Sequence, residues 1–278
     1  MTANDIDAPL ILAVAPNGAR KTQADHPAIP ITPDEIAAEA ARCREAGASM
    51  IHLHVRDAEL KHSLDADAYA AATAAIRREV GDGLIVQMTT EAVGIYTPDQ
   101  QMAAVRAVRP EAASMAVREF CPDEASVPAF AEFLSWMAAE RIMAQYILYA
   151  AEDVATFSDL QARGVIPDAR PFLLYVLGRY TPGQKSVPAD LLPFMIEGEQ
   201  LDADWAICAF GAREAACALT AAALGGHVRV GFENNILMAD GSVAPDNAAL
   251  VGQVADAAKL LGRTLAGADE ARTYLGRP

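Results

Sequence analysis

MIHLHVRD, residues 50–57, alternates in a way that only one kind of element explains. Side chains alternate faces along a β-strand. One face then carries Met50, His52, His54 and Arg56, and the other carries Ile51, Leu53, Val55 and Asp57. The second set is apolar until the strand ends, so it packs on a covering layer. The first set points two imidazoles into an enclosed interior. A parallel strand with helices outside and a polar interior at its C-terminal end has this pattern.

Working outward, seven more short apolar runs share that form. They are LILAVAP (10–16), LIVQMTTE (84–91), AASMAVRE (112–119), MAQYILYA (143–150), PFLLYVLG (171–178), DWAICAFG (204–211) and HVRVGFEN (227–234). A helical pattern follows each of the eight. Two helix starts are explicit: Thr32-Pro33-Asp34-Glu35 and Thr97-Pro98-Asp99-Gln100 each place a cap, then proline, then Glu or Gln at the third helical position. Eight strand–helix units predict the α/β class and a (β/α)8 TIM barrel, with 1–278 as a single domain. The runner-up is a doubly wound open sheet, but APNGARK after the first run is not the glycine-rich phosphate loop that such a sheet usually carries. Residues 16–32 form the longest loop, a place where function often sits.

Of the 278 residues, 53% are apolar, enough for a large core, and no apolar run is long enough to span a bilayer. The opening MTANDIDAPL lacks the basic and apolar regions of a signal peptide, which makes a cytoplasmic protein the expectation. A net charge of −15 argues against nucleic acid and against an anionic membrane as partners. Cys43, Cys121, Cys208 and Cys217 show no regular spacing and read as isolated thiols.

In a barrel, chemistry gathers at the C-terminal ends of the strands. The last strand places His227, Arg229, Gly231 and Glu233 on one face. The first strand, which lies between the second and the last in barrel order, turns the small Ala13 and Ala15, with Asn17, the same way. His52, His54 and Glu233 therefore converge on open space. Two imidazoles and a carboxylate suit Zn2+ with an open position, and also Mn2+, Co2+, Ni2+ or Fe2+. The alternative is a pair of hydrogen-bonded core histidines. His227 lies deeper and reads as structural; His26 and His62, in loops, read as solvated. Arg56 beside Asp57 reads equally well as a structural pair.

HLHVRD, GGHVRVGFENN, ADHPAIPITPDEIA and PDNAALV resemble the β-keto acid cleavage enzymes, and the resemblance runs from Leu10 to Arg272. It implies a zinc-dependent barrel, usually a homotetramer, that condenses a β-keto acid with acetyl-CoA to give acetoacetate and a new acyl-CoA. Carried over by motif, the metal ligands are His52, His54 and Glu233. Arg229 matches the arginine of a catalytic Arg–Asp dyad, and Thr89 matches a hydroxyl that holds the keto acid's carboxylate. This sequence departs from the pattern at three places. Asn234 stands where the dyad has aspartate, and an amide cannot accept the proton a carboxylate base takes. Arg20 and Ile147 stand where glutamates hold the ammonium of 3-keto-5-aminohexanoate. Arg20 and Asn17 are then candidate contacts to a substrate whose tail is not an amine.

The missing base leaves Glu91 as the expected proton acceptor, since it shares the inward face with Gln87 and Thr89. Glu119, at the end of the fourth run, is second, with Arg118 as its possible partner. A metal-bound hydroxide is the rival account. Arg20, Lys21, Arg56, Arg118, Arg179, Lys185, Arg213 and Arg229 are the basic residues near strand ends, available either to CoA phosphates or to the chain's own 37 acidic residues. Two other functions stay open: a metal-dependent lyase or hydrolase of aldolase or lactonase type on the same barrel, and a catalytically inactive relative.

Overall fold

Among the described residues, ten short strands follow one another: β1 (Leu12–Val14), β2 (Met50–Leu53), β3 (Val55–Arg56), β4 (His62–Ser63), β5 (Ile85–Thr89), β6 (Ala112–Ala116), β7 (Met143–Leu148), β8 (Phe172–Leu177), β9 (Asp204–Ala209) and β10 (His227–Val230). In this computed structural model, which describes residues 7–276, eight of them pair in parallel and close into a barrel in the order β1-β10-β9-β8-β7-β6-β5-β2. The strand order bears out the barrel and excludes the open sheet. β1 sits between β2 and β10: Ala13 pairs with Met50 on one side and with Arg229 on the other.

Strand parity sorts the core into two shells. Leu12, Val14, Ile51, Leu53, Val228 and Val230 pack outward among helix residues such as Ile36, Ala40, Tyr69 and Val254. Ala13, Met50, Ile85, Met143, Leu174, Ala206 and Cys208 fill the barrel interior. Small residues on β1, β6 and β9 leave room inside, and apolar burial on both faces is what holds the strands in register.

The helices Pro33–Glu45 and Pro98–Val108 start as the sequence predicts. In each, the threonine side chain accepts from the third backbone N–H, and Glu35 or Gln100 reaches back to the threonine N–H. All four cysteines are buried and free. No helix among the described residues is long and apolar enough to cross a membrane. The reading of the N-terminus concerns residues 1–10, of which 1–6 lie outside the described part.

All eight strands stop short of the expected last residue, and three stop short by three or more, each for a local reason. MIHLHVRD leaves the barrel after Leu53 because the His54 carbonyl is taken by Asn17 Nδ2 (3.1 Å). Its last residues form the β3–β4 hairpin, closed by Asp57, whose Oδ1 accepts from the N–H groups of Glu59 and Lys61. AASMAVRE ends at Ala116 and continues as the helix Val117–Phe120, so Arg118 and Glu119 are helical. HVRVGFEN ends at Val230. Gly231 there has φ +138°, and its carbonyl accepts from the N–H groups of Asn234 and Asn235, closing a tight turn. A Cβ at 231 would lie 2.4 Å from the Ala15 carbonyl oxygen, so only glycine lets this turn sit against β1.

Candidate metal centre and active site

The turn after β10 and the end of β2 meet across the end of β1. His52 Nε2 and His54 Nε2 lie 3.1 Å apart, and Glu233 Oε2 lies 3.6 Å from the first and 3.4 Å from the second. Both histidines are buried, and Glu233 is nearly so. This triangle is the only group of three or more potential ligands within such reach among the described residues. Metal–ligand bonds of about 2.0–2.1 Å at tetrahedral angles put ligand atoms about 3.3 Å apart, which is the spacing found.

The protonation states agree. Burial first, then Arg229, pushes His52 well below its usual range, so the imidazole is neutral. Its contact with Glu233 is therefore a pair of donor atoms side by side and not an ion pair. His52 Nδ1–H donates to Gln87 Oε1 (2.8 Å), whose own Nε2 donates to Gln145 Oε1 (3.0 Å). That chain fixes the tautomer and leaves Nε2 bare, the usual support for a ligating histidine. Burial pushes the Glu233 carboxyl up, but the Arg229 guanidinium, the largest opposing effect, holds the group well below the ordinary carboxylate range. Glu233 Oε2 has no hydrogen-bond partner. A buried ionised oxygen facing a bare imidazole nitrogen is costly unless something positive sits between them, so the donor set fits a divalent cation.

A small cavity opens beside the triangle. Its wall includes Thr89, Glu91, Arg179 and Arg229, with the apolar Ile147, Val176 and Phe210. Arg229 Nη2 donates to Glu233 Oε1 and to Cys208 Sγ, both at 3.2 Å. Its Nε and Nη1, buried, have no partner, so three N–H bonds remain for an anionic oxygen. Thr89, at the end of β5, is buried in the same wall.

Glu91 also faces this cavity, and Arg179 Nη2 donates to its Oε1 at 3.0 Å. Glu119, the second candidate, is not in the wall. It accepts from Ala92 N–H and from Gln101 Nε2, while Arg118 pairs instead with Asp153. Asn234 is buried, with neither amide atom hydrogen-bonded, and is not in the wall either.

Asn17 and Arg20 stand elsewhere. Asn17 is fully buried, and its Nδ2 donates to the carbonyls of Pro30 and His54. It ties the long loop to β2. Arg20 is exposed and outside the wall. Arg56 does not pair with Asp57; its guanidinium donates to the carbonyls of Gly18, Lys21 and Leu60. Of the histidines, His227 is structural as expected: its Nδ1 accepts from Ile11 N–H, and burial pushes it down to about 3. His26 and His62 correct the expectation, since both are buried. His26 lies against Phe232; His62 lies beside His54 and donates through Nε2 to the Glu91 carbonyl (2.8 Å). Sequence reasoning did not single out Tyr149, Val176 or Phe210, because an aromatic or valine on a strand reads as core wherever it lies.

The sequence matches the family model described as beta-keto acid cleavage enzyme over residues 9–276. A 3-keto-5-aminohexanoate cleavage enzyme of Fusobacterium nucleatum is 33% identical over 96% of this chain and 97% of its own. A 3-oxoadipate:acetyl-CoA acetyltransferase of Cupriavidus necator is 30% identical over 97% of this chain and 95% of its own. Among solved structures, a binary complex of ObcA with oxaloacetate has a similar fold, with a TM-score of 0.72 at 17% identity over 90% of this chain and 67% of that one.

Proposed function

The chain belongs to the beta-keto acid cleavage enzyme family, and from that membership we propose that it condenses a β-keto acid with acetyl-CoA, giving acetoacetate and the CoA ester of the remaining acyl group. The observation that carries the reading is the convergence of His52, His54 and Glu233 beside a cavity with an arginine that has N–H groups to spare. A divalent ion, with zinc the first choice, would be held by those three residues and would supply Lewis acidity at the keto oxygen.

The residues around it divide the remaining work. Thr89 holds the substrate carboxylate through its hydroxyl. Arg229 offers its unpartnered N–H groups to developing negative charge. Glu91 takes the proton from C2, the carbon between carboxylate and ketone, in the place of the aspartate that Asn234 replaces. Arg179 orients Glu91 by the hydrogen bond to Oε1. Ile147, Val176 and Phe210 keep water from the reacting carbon.

The substrate tail is neutral or anionic. Ile147 lies in the wall, and the carboxylate there besides Glu233 is Glu91, already matched with Arg179. An ammonium tail would find no free carboxylate and would stand near two guanidinium groups. Arg20, exposed and outside the wall, adds nothing to this preference. The two relatives described above are named for an amino keto acid and for a keto dicarboxylic acid, so tail chemistry varies between them. The family resemblance implies a homotetramer, and the expected compartment is the cytoplasm.

The test is a panel of β-keto acids offered with acetyl-CoA and read as new acyl-CoA by mass. Neutral or dicarboxylic substrates should exceed 3-keto-5-aminohexanoate in kcat/KM by tenfold or more, about 1.4 kcal/mol. If the amine is preferred, the tail reading is wrong; if no substrate yields a new acyl-CoA, the activity is.

A further inference from the structure

The turn that presents Glu233 is held by buried polar groups from several elements. Gly231 N–H donates to Glu214 Oε1 (3.1 Å), and Asn235 Nδ2 donates to Glu214 Oε2 (3.2 Å). Glu214 opens the helix Glu214–Ala223 and is 1% exposed. Lys21, from the loop after β1, donates through Nζ to the carbonyls of Phe232 and Glu233, each at 2.8 Å. Asn247, at the start of the helix Asn247–Leu260, accepts from Phe232 N–H (2.8 Å), and its own N–H donates to the buried Glu39 (2.7 Å).

Burying carboxylates is costly unless they are hydrogen-bonded. Here the bonds of Glu214 and Lys21 fall on residues 231–235, the stretch centred on Glu233. They fix its backbone on both sides: Gly231 two residues before it, and its own carbonyl. A three-ligand metal site needs that control, because ligand placement tolerates only about 0.5 Å of error.

We propose that Glu214 and Lys21 are positioning residues for the Glu233 carboxylate, clamping the turn after β10 so that its oxygen meets His52 and His54. The inference rests on the reading of those three residues as metal ligands. Neither Glu214 nor Lys21 belongs to the ligand triangle; each acts through the backbone that carries Glu233. Glu214 itself, pushed up to about 8 by burial against the opposing effect of its hydrogen bonds, is kept in place by Gly231 and Asn235.

Full-length Glu214→Gln and Lys21→Met are compared with the unaltered chain and with His54→Ala. Zn2+ affinity is measured by chelator competition, and the visible absorption of the Co2+-loaded protein reports ligand geometry. Thermal unfolding of the metal-free proteins reports the fold. Glu214→Gln turns an amide N–H toward Gly231 N–H or Asn235 Nδ2 and loses one acceptor. Lys21→Met removes both carbonyl contacts from a partly exposed side chain, so it remains decisive if Glu214→Gln does not fold. The clamp predicts Zn2+ binding weakened about 10- to 100-fold, a changed Co2+ spectrum, and metal-free unfolding close to that of the unaltered chain. Unchanged affinity and spectrum in the folded variants, with His54→Ala losing its metal, would overturn this inference alone. Full affinity in His54→Ala would overturn the metal site and this inference with it.

Discussion

Glu91 illustrates how one residue's role depends on a neighbour far away in sequence. Its place on the inward side of the run LIVQMTTE (84–91) is legible from parity, but its partner Arg179 is 88 positions away and is brought to it by the barrel. Glu91→Gln keeps the size and the hydrogen bond from Arg179 while removing basicity. We expect kcat to fall about 100-fold or more, with metal content unchanged. A near-normal kcat would shift proton removal to a water on the metal. Gly18 is a second residue whose importance only the structure discloses. Its φ is +64°, and a Cβ there would lie 2.6 Å from Glu233 Cγ. Gly18→Ala should therefore displace the carboxylate and lower Zn2+ affinity more than tenfold, besides costing about 1 kcal/mol in backbone strain. Unaltered affinity by chelator competition would show that Glu233 moves aside freely. His62 was misread as solvated because loop burial is decided by what folds over the barrel mouth, and its own stretch carries no signal of that.

At the scale of elements, periodicity sorted residues correctly wherever a strand stayed in the barrel. Ile51 and Leu53 pack outward, and His52 points in. It failed where hydrogen bonds outside the ladder cut a strand short: from Asn17 Nδ2 to the His54 carbonyl, and from the backbone N–H groups of Asn234 and Asn235 to the Gly231 carbonyl. Those interruptions sit at the site, where local pattern commonly yields to function. The opposite end of the barrel is held by a carboxylate that joins three elements. Glu111, just before β6, accepts from Arg77 (2.5 Å) on the helix Ala66–Val80, from Arg272 (2.6 Å) on the helix Ala268–Tyr274, and from Val86 N–H of β5 (3.3 Å). Burial pushes its carboxyl up, but Arg272 and then Arg77 outweigh that, so the folded value lies below the ordinary 4.5. The contribution to stability is thus present above the unfolded value and is lost as pH falls through the folded one. Glu111→Gln should cost about 1–3 kcal/mol at neutral pH, with the gap from the unaltered chain narrowing below about pH 4. Urea unfolding at both pH values checks this, and an equal gap at each would contradict it.

Across the whole molecule, the closed parallel barrel and the converging face of β1, β2 and the turn after β10 were legible because both depend on alternation along single strands. The clamp of Glu214, Lys21 and Asn247 was not, since a charged residue at a helix start or in a loop reads as surface until three elements close over it. If this face holds a divalent ion on which acyl transfer from a β-keto acid to CoA depends, turnover must follow the metal. The decisive experiment follows acyl-CoA formation by the metal-stripped chain, before and after Zn2+ is restored, beside His54→Ala treated the same way. Turnover should vanish on stripping, return with about one equivalent of Zn2+ bound, and fail to return in His54→Ala. Acyl-CoA formation that persists in the stripped chain, or returns in His54→Ala, would contradict the claim.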